Sequence, residues 1–246
     1  MQIDVIPTIN EARTEDLAGK TVLVIDVFRS TSCIVTALHN GAESVLPVET
    51  VTEARDSQRQ GDLLAGERYG KKLPGFDLGN SPLEFQAERI YGKRIVMTTT
   101  NGTRALHKSQ KAARVAAASL MNARASAYYA LETQKDVAIL CSGTQDVYSL
   151  EDGLCAGLLI DELLHAGGES AGINDFGLSQ HGAYLQAKSR LTEVLRTCSN
   201  GRKLIRAGLE ADLLHCARVN TVSLVPVMQE GILTAQTLPG ISQSPF

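Results

Sequence analysis

The 246-residue sequence has no apolar stretch approaching the roughly 18 residues that a membrane span requires. No run of Lys or Arg exceeds two, and the formal net charge is -3. A nucleic-acid binder, or a protein drawn to acidic membranes, would usually carry a basic patch, so neither partner is expected. Residues 1–6 lack the cationic start and apolar core of a secretory signal, which sets the expectation of a cytoplasmic protein. The five cysteines are odd in number and include no Cys-x-x-Cys pair, so neither a disulfide frame nor a zinc knuckle is indicated. Cys33, Cys155 and Cys216 fall in apolar helical patterns and are expected in the core.

Several catalytic signatures are also missing. Asp26 is followed two residues on by Phe28, so the Asp-x-Asp of haloacid-dehalogenase phosphatases is absent. Six residues after Cys141 stands Val147, where a Cys-dependent phosphatase loop needs Arg. There is no Gly-x-x-x-x-Gly-Lys-Ser/Thr loop and no His-Glu-x-x-His. The histidines (His39, His107, His165, His181 and His215) are isolated and read as structural or surface residues, His181 being the most open to another role.

What is present is an alternation of short Val- and Ile-rich runs with helical patterns. Strands are expected at 3–6, 21–27, 44–48, 62–65, 94–98, 114–118, 137–141 and 221–225. Helices are expected at 31–39, 52–60, 82–90, 102–108, 123–133 and 150–165, with Gly41 and Gly61 placed to stop two of them. The rhythm predicts a single α/β domain over 1–246, with a largely parallel or mixed sheet in a three-layer α/β/α arrangement. At 43% hydrophobic residues the chain can bury a real core. After about residue 168 the pattern turns helical, at 177–197, 201–207 and 209–216, before one last strand. The tail, 237–246, is rich in Pro, Gly, Ser and Gln and is expected to be mobile or draped on the surface. The loop 66–81 is long for a compact domain, which favours a functional role. The Ala-rich helix around 123–130 offers a face for a second copy and leaves homo-oligomerisation open.

Polar clusters follow four of the strands, where open α/β sheets place ligands. The first is Asp26 with Arg29, Ser30 and Thr31. A carboxylate there suits Mg2+, and Arg29 suits an anionic substrate; the alternative is a turn acid with Ser30 as N-cap. The second is Glu67-Arg68, where Glu67 either completes a metal site or forms a solvated pair. Beyond it, Ser81 and Glu84 read as a capping box around Pro82, leaving Asp77 and Asn80 open. The third is Thr98-Thr99-Thr100-Asn101-Gly102-Thr103-Arg104, either an anion cradle at a helix N-terminus or plain capping by Thr100 or Asn101. The fourth joins Cys141-Ser142-Gly143 to Ser149-Leu150-Glu151-Asp152, where one acid caps a helix with Ser149 and the other is spare.

Together these segments resemble the 2-phosphosulfolactate phosphatase family. The resemblance rests on residues 24–32, 41–48 and 66–68, and on Gly75-Phe76-Asp77-Leu78-Gly79-Asn80-Ser81-Pro82. It continues through Thr98 to Thr103, Cys141 to Gly143 and Ser149 to Asp152, the last with Cys155-Ala156-Gly157. Each motif alone is weak, but seven in order, spread through residues 20–230, are specific; Phe28 is a mild departure. The resemblance implies an α/β phosphatase that uses Mg2+ to hydrolyse (2R)-2-phospho-3-sulfolactate, a step toward coenzyme M. It implies metal ligands among Asp26, Glu67, Glu151 and Asp152, with Asp26, Arg29 and Glu67 catalytic. The small phosphorylated acid is expected to meet Arg29, Ser30, Thr31, Arg68, Thr99, Asn101, Gly102, Thr103 and Ser142. Asp26 as a covalent nucleophile, another phosphorylated hydroxy acid as substrate, and a non-catalytic binder of an anionic metabolite all remain as alternatives.

Overall fold

The computed structural model describes residues 1–167 and 171–238, so the tail from 239 onward lies outside the described residues. Eleven strands form one sheet: β1 (Gln2–Ile6), β2 (Thr21–Ile25), β3 (Ser44–Pro47), β4 (Leu63–Arg68), β5 (Lys71–Lys72), β6 (Arg94–Thr98), β7 (Arg114–Ala118), β8 (Val137–Cys141), β9 (Gly172–Ile173), β10 (Leu224–Gln229) and β11 (Ile232–Thr237). The helices are α1 (Thr14–Leu17), α2 (Ser30–His39), α3 (Val51–Ser57), α4 (Ala87–Ile90), α5 (Gly102–Lys108), α6 (Ala123–Glu132), α7 (Leu150–His165), α8 (Asp175–Ala187), α9 (Leu191–Thr197), α10 (Ser199–Arg206) and α11 (Glu210–Cys216).

The strand order is β5-β4-β6-β3-β11-β10-β7-β2-β8-β1-β9. Strands β7, β2, β8, β1 and β9 form one parallel block, and β3, β6 and β4 form another. The antiparallel hairpin β10–β11 lies between them. Each block therefore runs opposite to the other along the sheet. The residues that follow the carboxyl ends of the two blocks nonetheless meet. There the Thr99 hydroxyl, just after β6, donates to Ser30 Oγ, just after β2, at 3.2 Å.

The three layers follow from side-chain alternation in the buried strands. Val22 and Val24 pack with Cys33, Ile34 and Leu106, under α2 and α5. Leu23 and Ile25 pack on the opposite face with Ala127, Leu154 and Leu158, under α6 and α7. All five cysteines are free and buried, as expected of those in the helical patterns. The Ala-rich side of α6 also faces inward: Ala123, Ala127 and Ala130 have no exposed surface. The sequence had offered that face to a second copy, but the core occupies it.

Several boundaries move. Strand β2 stops at Ile25, so Asp26 and Val27 lie in the turn beyond it. Strand β4 runs on to Arg68, so Glu67 sits inside a strand. The single helix expected at 82–90 is a 3-10 turn, Pro82–Glu84, followed by α4. The helix expected at 177–197 is broken between α8 and α9 by the 3-10 turn Lys188–Arg190. The last strand begins at Leu224 and turns back through Glu230 and Gly231, both at positive φ (50° and 80°). Two positive φ values make the type I′ geometry that suits strand twist, and Glu is an unusual residue for its first position.

Candidate functional site

The site grows from strand register. Ile25 on β2 sits beside Cys141 on β8, so Asp26 and Ser142 leave the sheet side by side, with Ser142 N–H donating to Ile25 O at 2.8 Å. Gly66 on β4 sits beside Thr98 on β6, so Glu67, still within β4, stands next to the point where Thr99 leaves β6. The helices α2, α5 and α7 all begin here.

Asp26 is 7% exposed and receives the Ser30 amide at Oδ1, 3.2 Å away. Its backbone carbonyl takes the Thr31 amide and hydroxyl, and its own amide donates to Thr31 Oγ1. The Thr31 hydroxyl thus closes the turn that aims Asp26. Gly102 packs directly on this turn. A Cβ there would stand 2.5 Å from the Ser30 side chain and 2.9 Å from Asp26 Oδ2. Gly102→Ala is therefore expected to wedge α2 from α5 at a cost of about 1–3 kcal/mol, read as a lower denaturant midpoint. An unchanged midpoint would show that the two helix starts are not in contact.

The third cluster is a knot of hydroxyls. Thr99 Oγ1 accepts the Thr103 amide, while Thr103 Oγ1 accepts the Thr99 amide and donates to Thr99 O. Neither Thr100 nor Asn101 caps α5, contrary to the capping alternative. Thr100 gives its amide and hydroxyl to Glu67 Oε1, at 2.9 and 2.8 Å. Glu67 Oε2 accepts from Gly70 N–H at 2.6 Å, so this carboxylate ties the β4 hairpin to the threonine turn. Arg68 lies against Glu67 O, Glu49 O and Thr98 Oγ1, which holds it to the framework. Half-buried Asn101 makes no side-chain hydrogen bond among the described residues.

At the start of α7 the expected capping box does not form. Asp152 instead reaches across, accepting Val27 N–H at 2.9 Å and Gly143 N–H at 3.1 Å, and so fastens the exits of β2 and β8. Ser149 pairs with Thr144, and Glu151 Oε1 accepts from Asn200 Nδ2 at 2.6 Å. Ser81 likewise does not cap its turn: its hydroxyl donates to Asp212 Oδ1 at 2.7 Å, and Glu84 accepts from Gly79 N–H. Asp77 accepts the Leu64 amide and pins the 66–81 loop to β4. Arg29 is 7% exposed, and its Nη1 donates to Asp212 Oδ2 at 2.5 Å.

Asn200 and Asp212 were missed in the sequence. Asp212 had a signal: Leu209, Asp212, Leu213 and Cys216 follow the i, i+3, i+4, i+7 pattern, with an acid inside an apolar stripe. Another string, Gly168-Glu169-Ser170-Ala171-Gly172, fits the Gly-x-Ser-x-Gly spacing. Its residues 168–170 lie outside the described residues. His181 binds Asp161 at 3.0 Å between α7 and α8, a structural contact.

Asp26, Glu67, Glu151 and Asp152 are all buried, and none has an ion-pair partner among the described residues. Burial, with the charges of Glu67 and Glu151, pushes the Asp26 carboxyl up to about 7, against the opposing pull of the Ser30 amide. Burial, then Glu151 and Asp26, raises Asp152 as well. Among the described residues no three His, Cys, Asp or Glu side chains converge into a closed metal cage. Mg2+ does not require one, since it usually takes one or two carboxylates and keeps several waters. The hard oxygen donors fit that ion. Among the described residues Ser142 Oγ and Asn80 Oδ1 are buried without a hydrogen-bond partner, which leaves polar atoms for a ligand.

A family model described as 2-phosphosulpholactate phosphatase matches residues 6–231. The chain is 42% identical over 227 residues to a probable 2-phosphosulfolactate phosphatase of Symbiobacterium thermophilum, covering 91% of this chain and 97% of that one. It is 39% identical over 223 residues to a protein of the same description from Thermotoga maritima, covering 89% and 94%. A third such protein, from Clostridium tetani, is 34% identical over 236 residues, covering 95% of this chain and 100% of its own.

Proposed function

Because the chain belongs to the 2-phosphosulfolactate phosphatase family, we propose that it hydrolyses (2R)-2-phospho-3-sulfolactate to 3-sulfolactate and phosphate with Mg2+, in the manner of a step toward coenzyme M. The observation that carries this reading is Asp26, a buried carboxylate without an ion-pair partner among the described residues, where α2 and α5 begin.

Asp26 and Glu151 would hold the ion, with Glu67 and Asp152 adding charge from the two sides. When bound, Mg2+ neutralises phosphoryl oxygens and so eases attack on phosphorus. The remaining work falls to the protein's own residues. Ser142 Oγ, the Ser30 hydroxyl and Asn101 bind phosphoryl oxygens at the rim of the threonine turn. Thr31, Thr99 and Thr103 shape that turn through their mutual bonds and keep Gly102 against Asp26. Arg29 faces the second anion of the substrate, which an enzyme for a doubly anionic acid must neutralise. Arg68 supports Glu67 from behind.

The test is phosphate release. Turnover of an aryl phosphate is expected with Mg2+, with loss in EDTA and recovery when Mg2+ is restored. 2-Phosphosulfolactate is expected to be preferred over phosphoacids without a sulfonate. No metal-dependent turnover of any phosphoester would sink the enzyme reading and leave a binder of anionic metabolites.

A further inference from the structure

Arg29 enters the site already engaged. Its Nη1 donates to Asp212 Oδ2 at 2.5 Å, and both side chains are more than nine-tenths buried. Among the described residues Nε and Nη2 make no hydrogen bond, yet neither is a sealed, unpartnered atom. Among the described residues the guanidinium edge turned away from Asp212 is thus left without a partner. Arg29 stands immediately before α2, three residues after Asp26.

Asp212 arrives from α11, 183 residues along the chain from Arg29. Its other oxygen accepts the Ser81 hydroxyl at 2.7 Å. Ser81 follows Asn80, whose buried Oδ1 has no partner among the described residues. Leu78 forms an isolated parallel bridge to Ala65 of β4, which ties this segment to the strand that carries Glu67. One carboxylate thus fixes both the Arg29 guanidinium and the segment that carries Asn80.

A buried arginine with one nitrogen tethered and another edge free is suited to a fixed anion. A guanidinium without Asp212 would keep its charge but lose its aim. We propose that Asp212 is a positioning residue that aims the free edge of Arg29 at the substrate's second anion, the one not transferred. This rests on the phosphatase reading above and extends it to substrate selection. Asp212 touches no reacting atom; it acts through Arg29 and through the Asn80–Ser81 segment.

The test compares kcat and KM of wild type and Asp212→Asn, with Mg2+, on two substrates. 2-Phosphosulfolactate carries additional anionic groups, and p-nitrophenyl phosphate carries none. KM for the first is expected to rise at least tenfold more than KM for the second, with kcat for the two falling in parallel. Calorimetry should show 3-sulfolactate affinity falling by at least tenfold more than that of inorganic phosphate. Asp212→Glu should recover part of the selectivity, because it restores the charge opposite Arg29. An equal loss on both substrates, or no loss on either, would overturn the proposal.

Should Asp212→Asn not fold, Ser81→Ala carries the same comparison, since it removes one of the two bonds that fix Asp212. A wild type that hydrolyses only sulfonate-free phosphoacids overturns the substrate assignment instead. The selectivity ratio is then taken with 2-phospholactate, whose carboxylate is the second anion. A wild type inactive on every phosphoester overturns both.

Discussion

Asp26→Asn is expected to lower Mg2+-dependent phosphate release by about 100- to 1000-fold, with the fold intact. The magnitude follows from losing electrostatic stabilisation in a water-poor site, where one such group is worth about 3–4 kcal/mol of barrier. Asn is nearly isosteric and keeps an oxygen for the Ser30 amide, which Asp26 Oδ1 now accepts at 3.2 Å. The turn closed by the Thr31 hydroxyl uses only backbone atoms of Asp26 and should survive. The loss is therefore expected in kcat, while circular dichroism stays that of the wild type. Retained turnover would remove Asp26 from the catalytic centre. A covalent role for Asp26 would be separated by acid-quench trapping of phosphorylated wild-type protein.

The second large effect is on stability against pH in the metal-free protein. The Asp26 carboxyl moves from an ordinary value of 3.8 to about 7 on folding, chiefly because burial penalises its charge. A raised acid pKa means that the folded chain holds a proton the unfolded chain has released. Stability therefore falls as pH rises between those two values, by about 1.4 kcal/mol per pH unit for one group. Over the window this comes to about 4 kcal/mol, and Asp152, raised for the same reason, adds loss in the same direction. The denaturant midpoint in EDTA should accordingly be higher near pH 5 than near pH 8. Mg2+ should raise the midpoint at pH 8 far more than at pH 5, because it takes the place of the missing proton. Asp26→Asn should flatten much of the EDTA profile. A midpoint in EDTA that stays level or climbs from pH 5 to pH 8 would falsify this account.

The parts of this site that sequence makes legible are those fixed by local rules. Asp26, Thr99, Ser142 and Glu151 each follow an apolar run or open a helical one, and period and position place all four near one edge. Hydroxyl roles were less legible. Thr31 and Thr103 bond within their own turns, and a sequence cannot show whether a hydroxyl faces inward or toward a ligand. Ser81 and Ser149 look like N-caps because the capping box is a local pattern, yet Ser81 is drawn to Asp212 and Ser149 to Thr144. The least legible parts come from far along the chain. Asn200 reaches Glu151 and Asp212 reaches Arg29 only after the C-terminal helices have packed. The reversed direction of the second block was hidden for a related reason. It depends on the β10–β11 hairpin, whose Glu230-Gly231 turn is not a familiar hairpin pair.

That hairpin also bears on synthesis. By the time Leu224 leaves the ribosome, Asp26, Glu67, Thr99, Ser142, Glu151 and Asp212 have all been made. The strands that stand between the two parallel blocks, β10 and β11, emerge after all of these residues. Contacts between distant parts of a chain form late because closing the loop costs entropy. The nascent chain therefore carries every candidate ligand of the acid cluster without a fixed frame around them, and the charge that makes the folded site receptive to a cation stays dispersed in water until the seam is closed.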